Sequence, residues 1–264
     1  MTNEKELSEN MPEDKQNQKD VILSKNGSKE LDFDEMILET QKRVWASLKK
    51  GYEYSGVIDD SDKFLRKHVF LKLNMVVLYV DLVGSTTMTL EMPSEKIAII
   101  IGSFAQEMAT VIRRHHGYVL KFVGDSVIGY FDAEENDASA SENATNCAKS
   151  MMSVIHKGIN PILNQYDYPD LMVKIGVDYG QNIIVRYGAD VKQSHVDIIG
   201  PAMNIASKIQ GMAKPEQILI GGDVYERLNS DSQKNFSHIV WNKDEWKYRS
   251  RLTGEIYKIY EFKG

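Results

Sequence analysis

Residues 118–131, YVLKFVGDSVIGYF, decide the fold predicted for this chain. Two apolar runs, Tyr118–Val123 and Ser126–Phe131, are separated only by Gly124 and Asp125. A two-residue connection that contains Gly and Asp is typical of a tight hairpin between antiparallel strands. The sequence therefore predicts two adjacent strands with an acidic side chain at the turn that joins them.

A second acid ends the preceding strand. Met75–Val80 is an almost unbroken apolar run, which predicts a central strand covered on both faces, and Asp81 follows it directly. Two carboxylates that converge from neighbouring strand ends make a hard-oxygen site for Mg²⁺ or Mn²⁺, the ions that accompany nucleoside triphosphates. Asp81 and Asp125 together therefore favour metal-dependent phosphoryl chemistry.

The elements around these acids predict an α+β fold. A helix begins at Pro93 and ends near Gly117, and a second long helix covers about Asp137 to Gln165. Further strands are predicted over Val173–Val177, Ile183–Tyr187, Ile218–Ile220 and Ile256–Phe262. The order β, α, β, β, α, β indicates a ferredoxin-like palm with C-terminal additions rather than a doubly wound nucleotide fold.

Three regions are expected along the chain. Residues 1–30 are polar with few apolar side chains, which predicts a flexible tail. Residues 31–70 form a helical extension, and the main domain covers residues 71–264. The extension carries one apolar stripe with two flanking residues: Ile37, Val44 and Leu48, beside Leu38 and Trp45. This stripe packs either on the main domain, which we favour, or on its copy in a dimer.

Composition excludes several classes of protein. The net charge of −6 and the pI of about 5.6, without a dense Lys/Arg block, argue against a nucleic-acid partner. No apolar run is long enough to span a bilayer, and the polar N-terminus is unlike a secretory signal, so we expect a soluble, cytoplasmic protein. The lone Cys147 lies among small apolar residues at helical spacing, which indicates a core thiol.

A second cluster of polar residues follows the central strands. Gly200 and Pro201 open a predicted helix, and Asn204 and Lys208 share the side opposite its apolar residues. An isolated Asn and Lys usually form a solvated helix face. Because Asp197 lies just upstream and two earlier acids already indicate a polar ligand, we interpret this face as part of a binding site.

Three stretches now stand in order along the chain. They are Val80–Thr86 (VDLVGST), Lys121–Asp125 (KFVGD) and Asp197–Lys208 (DIIGPAMNIASK). In this order, and within this pattern of strands and helices, they resemble the catalytic domain of class III nucleotidyl cyclases, the adenylate and guanylate cyclase family. The similarity covers roughly Asn74 to Phe262.

The resemblance implies a metal site and a reaction. Asp81 and Asp125 would hold two divalent ions, Mg²⁺ or Mn²⁺, with the Leu82 carbonyl as a further ligand. The amides of one loop would lie near the phosphates: those of Val83, Gly84, Ser85 and Thr86. The implied reaction is in-line attack of the ribose 3′-oxygen on the α-phosphate, which releases pyrophosphate and leaves a 3′,5′-cyclic nucleotide.

By the same resemblance, Lys121 and Asp197 contact the base and Asn204 orients the ribose. An ammonium that donates to adenine N1 and a carboxylate that accepts from the exocyclic amine suit ATP, our first choice, and meet the wrong edge of guanine. Cytosine also presents an acceptor beside an amine, so CTP stays open. A cyclase of another triphosphate (CTP, UTP or GTP) and a catalytically silent nucleotide-binding module are the alternatives.

Two further expectations concern the partner chain and the cations. Lys121 and Asp125 lie on opposite sides of a short turn and cannot easily serve one nucleotide, and the family takes its metal acids and its base contacts from different subunits. A head-to-tail homodimer with two composite sites follows. The family usually has Arg where this chain has Lys208, which keeps the charge but loses the planar fork. Arg251 is the candidate phosphate-binding cation, and Arg249 competes with it.

Overall fold

The structure is a computed structural model, and it describes residues 32–49, 56–241, 245–250 and 253–264. The predicted polar tail, residues 1–30, lies outside the described residues. The described part is an α+β fold in which one mixed sheet carries helices on both faces.

The helices are α1 (residues 32–49), α2 (Asp59–Lys67), α3 (Ser85–Glu91), α4 (Ser94–Arg114), α5 (Asp137–Ser153), α6 (Asn160–Leu163), α7 (Pro201–Met212), α8 (Gly222–Tyr225) and α9 (Ser230–Gln233). The strands are β1 (Lys72–Leu82), β2 (Tyr118–Val123), β3 (Ser126–Asp132), β4 (Val173–Tyr187), β5 (His195–Ile199), β6 (Gln217–Gly221), β7 (Phe236–Ile239) and β8 (Ile259–Phe262). A π-helical segment, Val154–Ile159, joins α5 to α6.

The strand order confirms the predicted palm. The sheet runs β2-β3-β1-β4-β6-β8-β7, and β5 pairs with β4 outside this path. Its first four strands, connected through α4 and α5, are the ferredoxin-like βαββαβ core. Within this core, β1 lies between β3 and β4 and is antiparallel to both.

Both faces of β1 are covered, which explains its continuous apolar sequence. Val76, Leu78 and Val80 pack on the face of α4 and α5. Met75 and Val77 pack on the opposite face, with buried residues of α2 and α7. Since side chains alternate along a strand, Asp81 belongs to the second face, at the end of the strand.

Several predicted strands need correction. The segments Val173–Val177 and Ile183–Tyr187 are one strand, β4, because β1 pairs with it continuously from Leu82 opposite Val173 to Lys72 opposite Ile183. Strands β5 and β7 were not predicted. The last strand begins at Ile259, and Ile256 makes only an isolated bridge to Arg249.

The N-terminal helix packs on the main domain, as we favoured. Val44 is buried, and Ile37 and Leu48 are half-buried against the same core as α4 and α5. The flanking residues Leu38 and Trp45 are exposed by 51% and 43%. The helix is therefore held by this chain, and its outer face is open to solvent. The domain boundary at residue 71 stays a prediction.

Two smaller expectations can be compared with the structure. Cys147 is fully buried, and this burial raises the pKa of its thiol, which confirms a core residue. No helix in the described ranges has both the length and the apolar character required to cross a bilayer.

Candidate active site

The two predicted metal acids lie at the same end of the sheet. Asp81 is paired across β1 and β3 with Ser126, the residue that follows Asp125. The Ser126 hydroxyl donates a hydrogen bond to Oδ1 of Asp81. The turn that carries Asp125 is tight because Gly124 adopts a φ of 61°, the left-handed conformation that favours glycine. Both carboxylates are half-buried, so the fold presents two hard oxygen donors at the same end of the sheet.

The loop after β1 begins at Val83, and its amide donates to the Met172 carbonyl at 2.8 Å. The Val83 amide, which was predicted to lie near the phosphates, is therefore already used in a hydrogen bond that anchors the loop. Gly84, with a φ of 76°, then turns the chain into α3, which starts at Ser85. Amides in the first turn of a helix have no intrahelical acceptor, so the role of the Gly84, Ser85 and Thr86 amides stays a prediction.

The two residues predicted to contact the base form an ion pair within one chain. Lys121 Nζ lies 2.5 Å from Asp197 Oδ2, and the two side chains are 34% and 16% exposed. The Ile198 amide donates to the other carboxylate oxygen, Oδ1, at 2.9 Å. Together, β2 and β5 thus present an ammonium and a carboxylate next to each other, although 76 residues separate them in the sequence.

Tyr79 lies between this pair and the metal acids along β1. It precedes Asp81 by two residues, so both side chains project from the same face of the strand. Burial raises the pKa of Tyr79 to about 12, and the negative charge of Asp197 adds to the shift. The acid end of β1 and the Lys121–Asp197 pair therefore belong to one face of the sheet.

Asn204 lines a separate cavity of about 400 Å³. The cavity lies between the first turn of α7, the middle of β4 and the C-terminal segment that contains Arg249 and Tyr257. None of the four residues described above, Asp81, Asp125, Lys121 and Asp197, is among its lining residues. One chain therefore holds two groups of predicted site residues in different places.

The structure does not bring Lys208 into the cavity of Asn204. Lys208 lies one helical turn further along α7 and lines a neighbouring cavity of about 260 Å³ with Trp246 and Tyr248. Of the two candidate phosphate-binding cations, Arg251 lies outside the described residues. Arg249 lines the cavity of Asn204.

One buried group of this cavity was missed from the sequence. Asp178, in the middle of β4, is 3% exposed, and Oδ1 of its carboxyl accepts a hydrogen bond of 2.6 Å from the Tyr257 hydroxyl. Burial raises the pKa of Asp178 well above its ordinary value, which favours the neutral acid. The sequence did contain a signal for this residue: Asp178 directly follows the apolar alternation of Val173, Ile175 and Val177. An acid buried in such a strand requires a hydrogen-bonding partner.

The chain is similar to known nucleotidyl cyclases. A model of the adenylate and guanylate cyclase catalytic domain matches residues 71–260. A cytidylate cyclase of Staphylococcus aureus is 27% identical over 171 residues, which are 63% of this chain and 40% of that protein. A uridylate cyclase of Rhodovulum sp. (strain MB263) is 25% identical over 183 residues, 67% of this chain and 76% of that protein. The chain spans well under half the length of the cytidylate cyclases that it matches.

Solved structures show the same fold. The adenylyl cyclase CyaB from P. aeruginosa superposes with a TM-score of 0.61 at 21% identity, over 72% of this chain and 94% of that chain.

Proposed function

We propose, from the fact that the chain belongs to the adenylate and guanylate cyclase catalytic domain family, that it converts a nucleoside triphosphate to a 3′,5′-cyclic nucleotide and pyrophosphate. The observation that carries this proposal is the placement of Asp81 and Asp125 at one sheet end, on the side of the sheet that also carries the Lys121–Asp197 pair. Attack by the ribose 3′-oxygen is intramolecular, so the protein needs to bind and orient rather than form a covalent intermediate.

The donor set fits two Mg²⁺ or Mn²⁺ ions. Asp81 and Asp125 offer carboxylate oxygens, the hard donors that both ions prefer in proteins. The ions would neutralise charge on the triphosphate and polarise its α-phosphate. Ser126, through its hydrogen bond, fixes the orientation of the Asp81 carboxylate, and the carbonyl of Leu82 is a further proposed ligand.

We favour ATP as the substrate. The Lys121 ammonium has further N–H groups besides the one that it shares with Asp197, and these can reach a ring nitrogen. The Asp197 carboxylate can accept from an exocyclic amine beside that nitrogen. Adenine presents this acceptor and amine, and so does cytosine, whereas guanine and uracil present a donor and a carbonyl. CTP is therefore the second candidate, and the relatives named cytidylate cyclases support retaining it.

A homodimer with composite sites is part of the proposal. The cavity of Asn204 contains Arg249 but neither metal acid, which supports a site that is completed by a second copy. We expect an Asp81→Ala chain and an Asn204→Ala chain to be inactive alone. In an equal mixture, half of the dimers would be mixed and each would hold one complete site, so activity would return to about a quarter of the wild-type value. A mixture as inactive as its parents would exclude composite sites.

The defining experiment is incubation of the chain with each of the four ribonucleoside triphosphates and Mg²⁺ or Mn²⁺. Products are separated by chromatography and identified by mass, with the Asp81→Ala chain as the matched control. Cyclic AMP formed faster than the other products supports the proposal, and predominantly cyclic CMP moves the assignment to CTP. Nucleotide binding without any cyclic product would instead indicate a silent binding module.

A further inference from the structure

The buried contact between Asp178 and Tyr257 joins two distant parts of the chain beside the cavity of Asn204. The two residues are 79 positions apart, and both line that cavity. The Tyr257 hydroxyl donates to Asp178 and also accepts from the Asp223 amide at 3.0 Å, so its hydrogen bonds are satisfied on both sides. Gly221 makes room for the contact, because a Cβ at this position would overlap Asp178 Oδ1 and crowd the Tyr257 hydroxyl.

The backbone of Tyr257 holds the preceding part of the C-terminal segment by two hydrogen bonds. The amide of Tyr257 donates to the Tyr248 carbonyl at 2.9 Å, and its carbonyl accepts from Nε1 of Trp246 at 2.8 Å. Beyond Tyr248, Arg249 makes an antiparallel bridge with Ile256, and its guanidinium donates to the Gly254 carbonyl at 2.9 Å. Residues 251–252 lie outside the described residues. Arg249 is therefore connected to Tyr257 through the adjacent backbone, by the Tyr257–Tyr248 hydrogen bond and the Arg249–Ile256 bridge.

The opposite wall of the cavity belongs to the core of the domain. It is formed by the first turn of α7, where Ala202 is buried in the core and Asn204 faces the cavity. On the floor, Asp178 is fixed within β4, which is paired on both sides by β1 and β6. The Asp178–Tyr257 hydrogen bond is thus a side-chain contact that joins the C-terminal wall of the cavity to the core of the domain.

We propose that Asp178 and Tyr257 are positioning residues of the nucleotide site: their hydrogen bond holds Arg249 at the distance from Asn204 at which both can contact one triphosphate. This inference rests on the proposed function. Neither residue needs to touch the substrate, because Tyr257 acts through the backbone contacts that connect it to Arg249. Arg249 supplies the charge, since a guanidinium suits phosphate oxygens.

Variants of the two residues give a directional test. A neutral hydrogen bond contributes about 0.5–1.5 kcal/mol, so Tyr257→Phe should raise the KM for the triphosphate by about 2–10-fold with a smaller change in kcat. Asp178→Asn keeps an acceptor oxygen and should stay within about 2-fold of wild type. Tyr260→Phe is the matched control, because Tyr260 lies three residues further along the chain, in β8, and stacks on Tyr225 away from the cavity. It should leave KM unchanged.

A double-mutant cycle separates positioning from a merely structural role. If Tyr257 acts through Arg249, then Tyr257→Phe should have no further effect on KM in an Arg249→Ala chain. The same fold-change in both backgrounds would overturn the inference, as would a folded Tyr257→Phe chain with wild-type KM. Circular dichroism and thermal unfolding establish that each variant is folded.

The same cycle can be measured by binding, which distinguishes this inference from the proposed function. Isothermal titration with a triphosphate that cannot be cyclised, a 3′-deoxy nucleotide, gives Kd for each variant with Mg²⁺. One outcome is a wild-type chain that binds the 3′-deoxy nucleotide yet forms no cyclic product from any natural triphosphate. If the effects of the Tyr257→Phe and Arg249→Ala variants on Kd are then non-additive, the positioning role stands and the cyclase assignment fails. A wild-type chain that neither cyclises nor binds any of the four nucleotides would overturn both.

Discussion

Replacing Arg43 by methionine tests how firmly α1 is held to the catalytic-domain core. Glu107, in the middle of α4, is only 1% exposed. Its two carboxylate oxygens accept from Arg43 Nε at 2.8 Å and from Nη2 at 2.7 Å, and Thr40 donates to it at 2.9 Å. The carboxylate of Glu107 also raises the pKa of Arg43, chiefly through this hydrogen bonding. Arg43→Met removes the cation but keeps much of the apolar stem that covers α4.

The expected loss of stability follows from the buried carboxylate of Glu107, which stays unpaired when Arg43 is replaced. Breaking a buried ion pair by removing one partner typically costs about 3–5 kcal/mol, because the other charge stays buried and unpaired. Here Arg43 is 34% exposed and Thr40 still donates one hydrogen bond, so water and Thr40 relieve part of the cost. We expect a loss of about 2–4 kcal/mol in the free energy of unfolding.

Urea unfolding, followed by circular dichroism, measures this loss as a lower midpoint at an unchanged slope. Arg114→Ala is the matched control, since Arg114 pairs at 2.5 Å with the exposed Glu39 and should cost about 0–1 kcal/mol. The double variant Arg43→Met/Glu107→Met removes both charges and should recover much of the loss. An Arg43→Met chain no less stable than the Arg114→Ala chain would refute the reasoning.

Four further outcomes are expected. Burial raises the pKa of Asp178 in the folded chain, so the contribution of this carboxyl to stability is full below about pH 4 and is lost as the pH rises through the folded pKa. The stability of the Asp178→Asn chain relative to wild type, measured by urea unfolding, should therefore increase as the pH rises above about 4. Asp197→Asn removes a charged acceptor and should lower kcat/KM by about 10–100-fold in the cyclase assay. Lys208→Ala should lower kcat and leave KM nearly unchanged, because we expect the Lys208 ammonium to stabilise charge that develops in the transition state. EDTA should abolish product formation, and excess Mg²⁺ or Mn²⁺ should restore it.

The palm could be predicted because its defining elements are local. The hairpin at Gly124 and Asp125 needs only a two-residue turn between two apolar runs, and β1 needs only one apolar run. Strands β5 and β7 were missed because no tight turn marks them. Each has four or five residues, and the connection to its antiparallel partner is long: residues 188–194 separate β4 from β5, and residues 240–258 separate β7 from β8. Short strands of this kind carry too few residues for an alternating pattern to be distinguished from a loop.

The candidate site, like the fold, could be predicted from the sequence only where local geometry decides it. A helical wheel correctly places Asn204 and Lys208 on one side of α7, because that relation depends on helix geometry alone. Which cavity each side chain faces depends on Tyr248, which lines both cavities and lies between them. The place of Tyr248 is set by its hydrogen bond to Tyr257, and that of Tyr257 by Asp178 on β4. The separation of Asn204 from Lys208 thus follows from contacts between β4 and the C-terminal segment, and no local pattern of α7 encodes it.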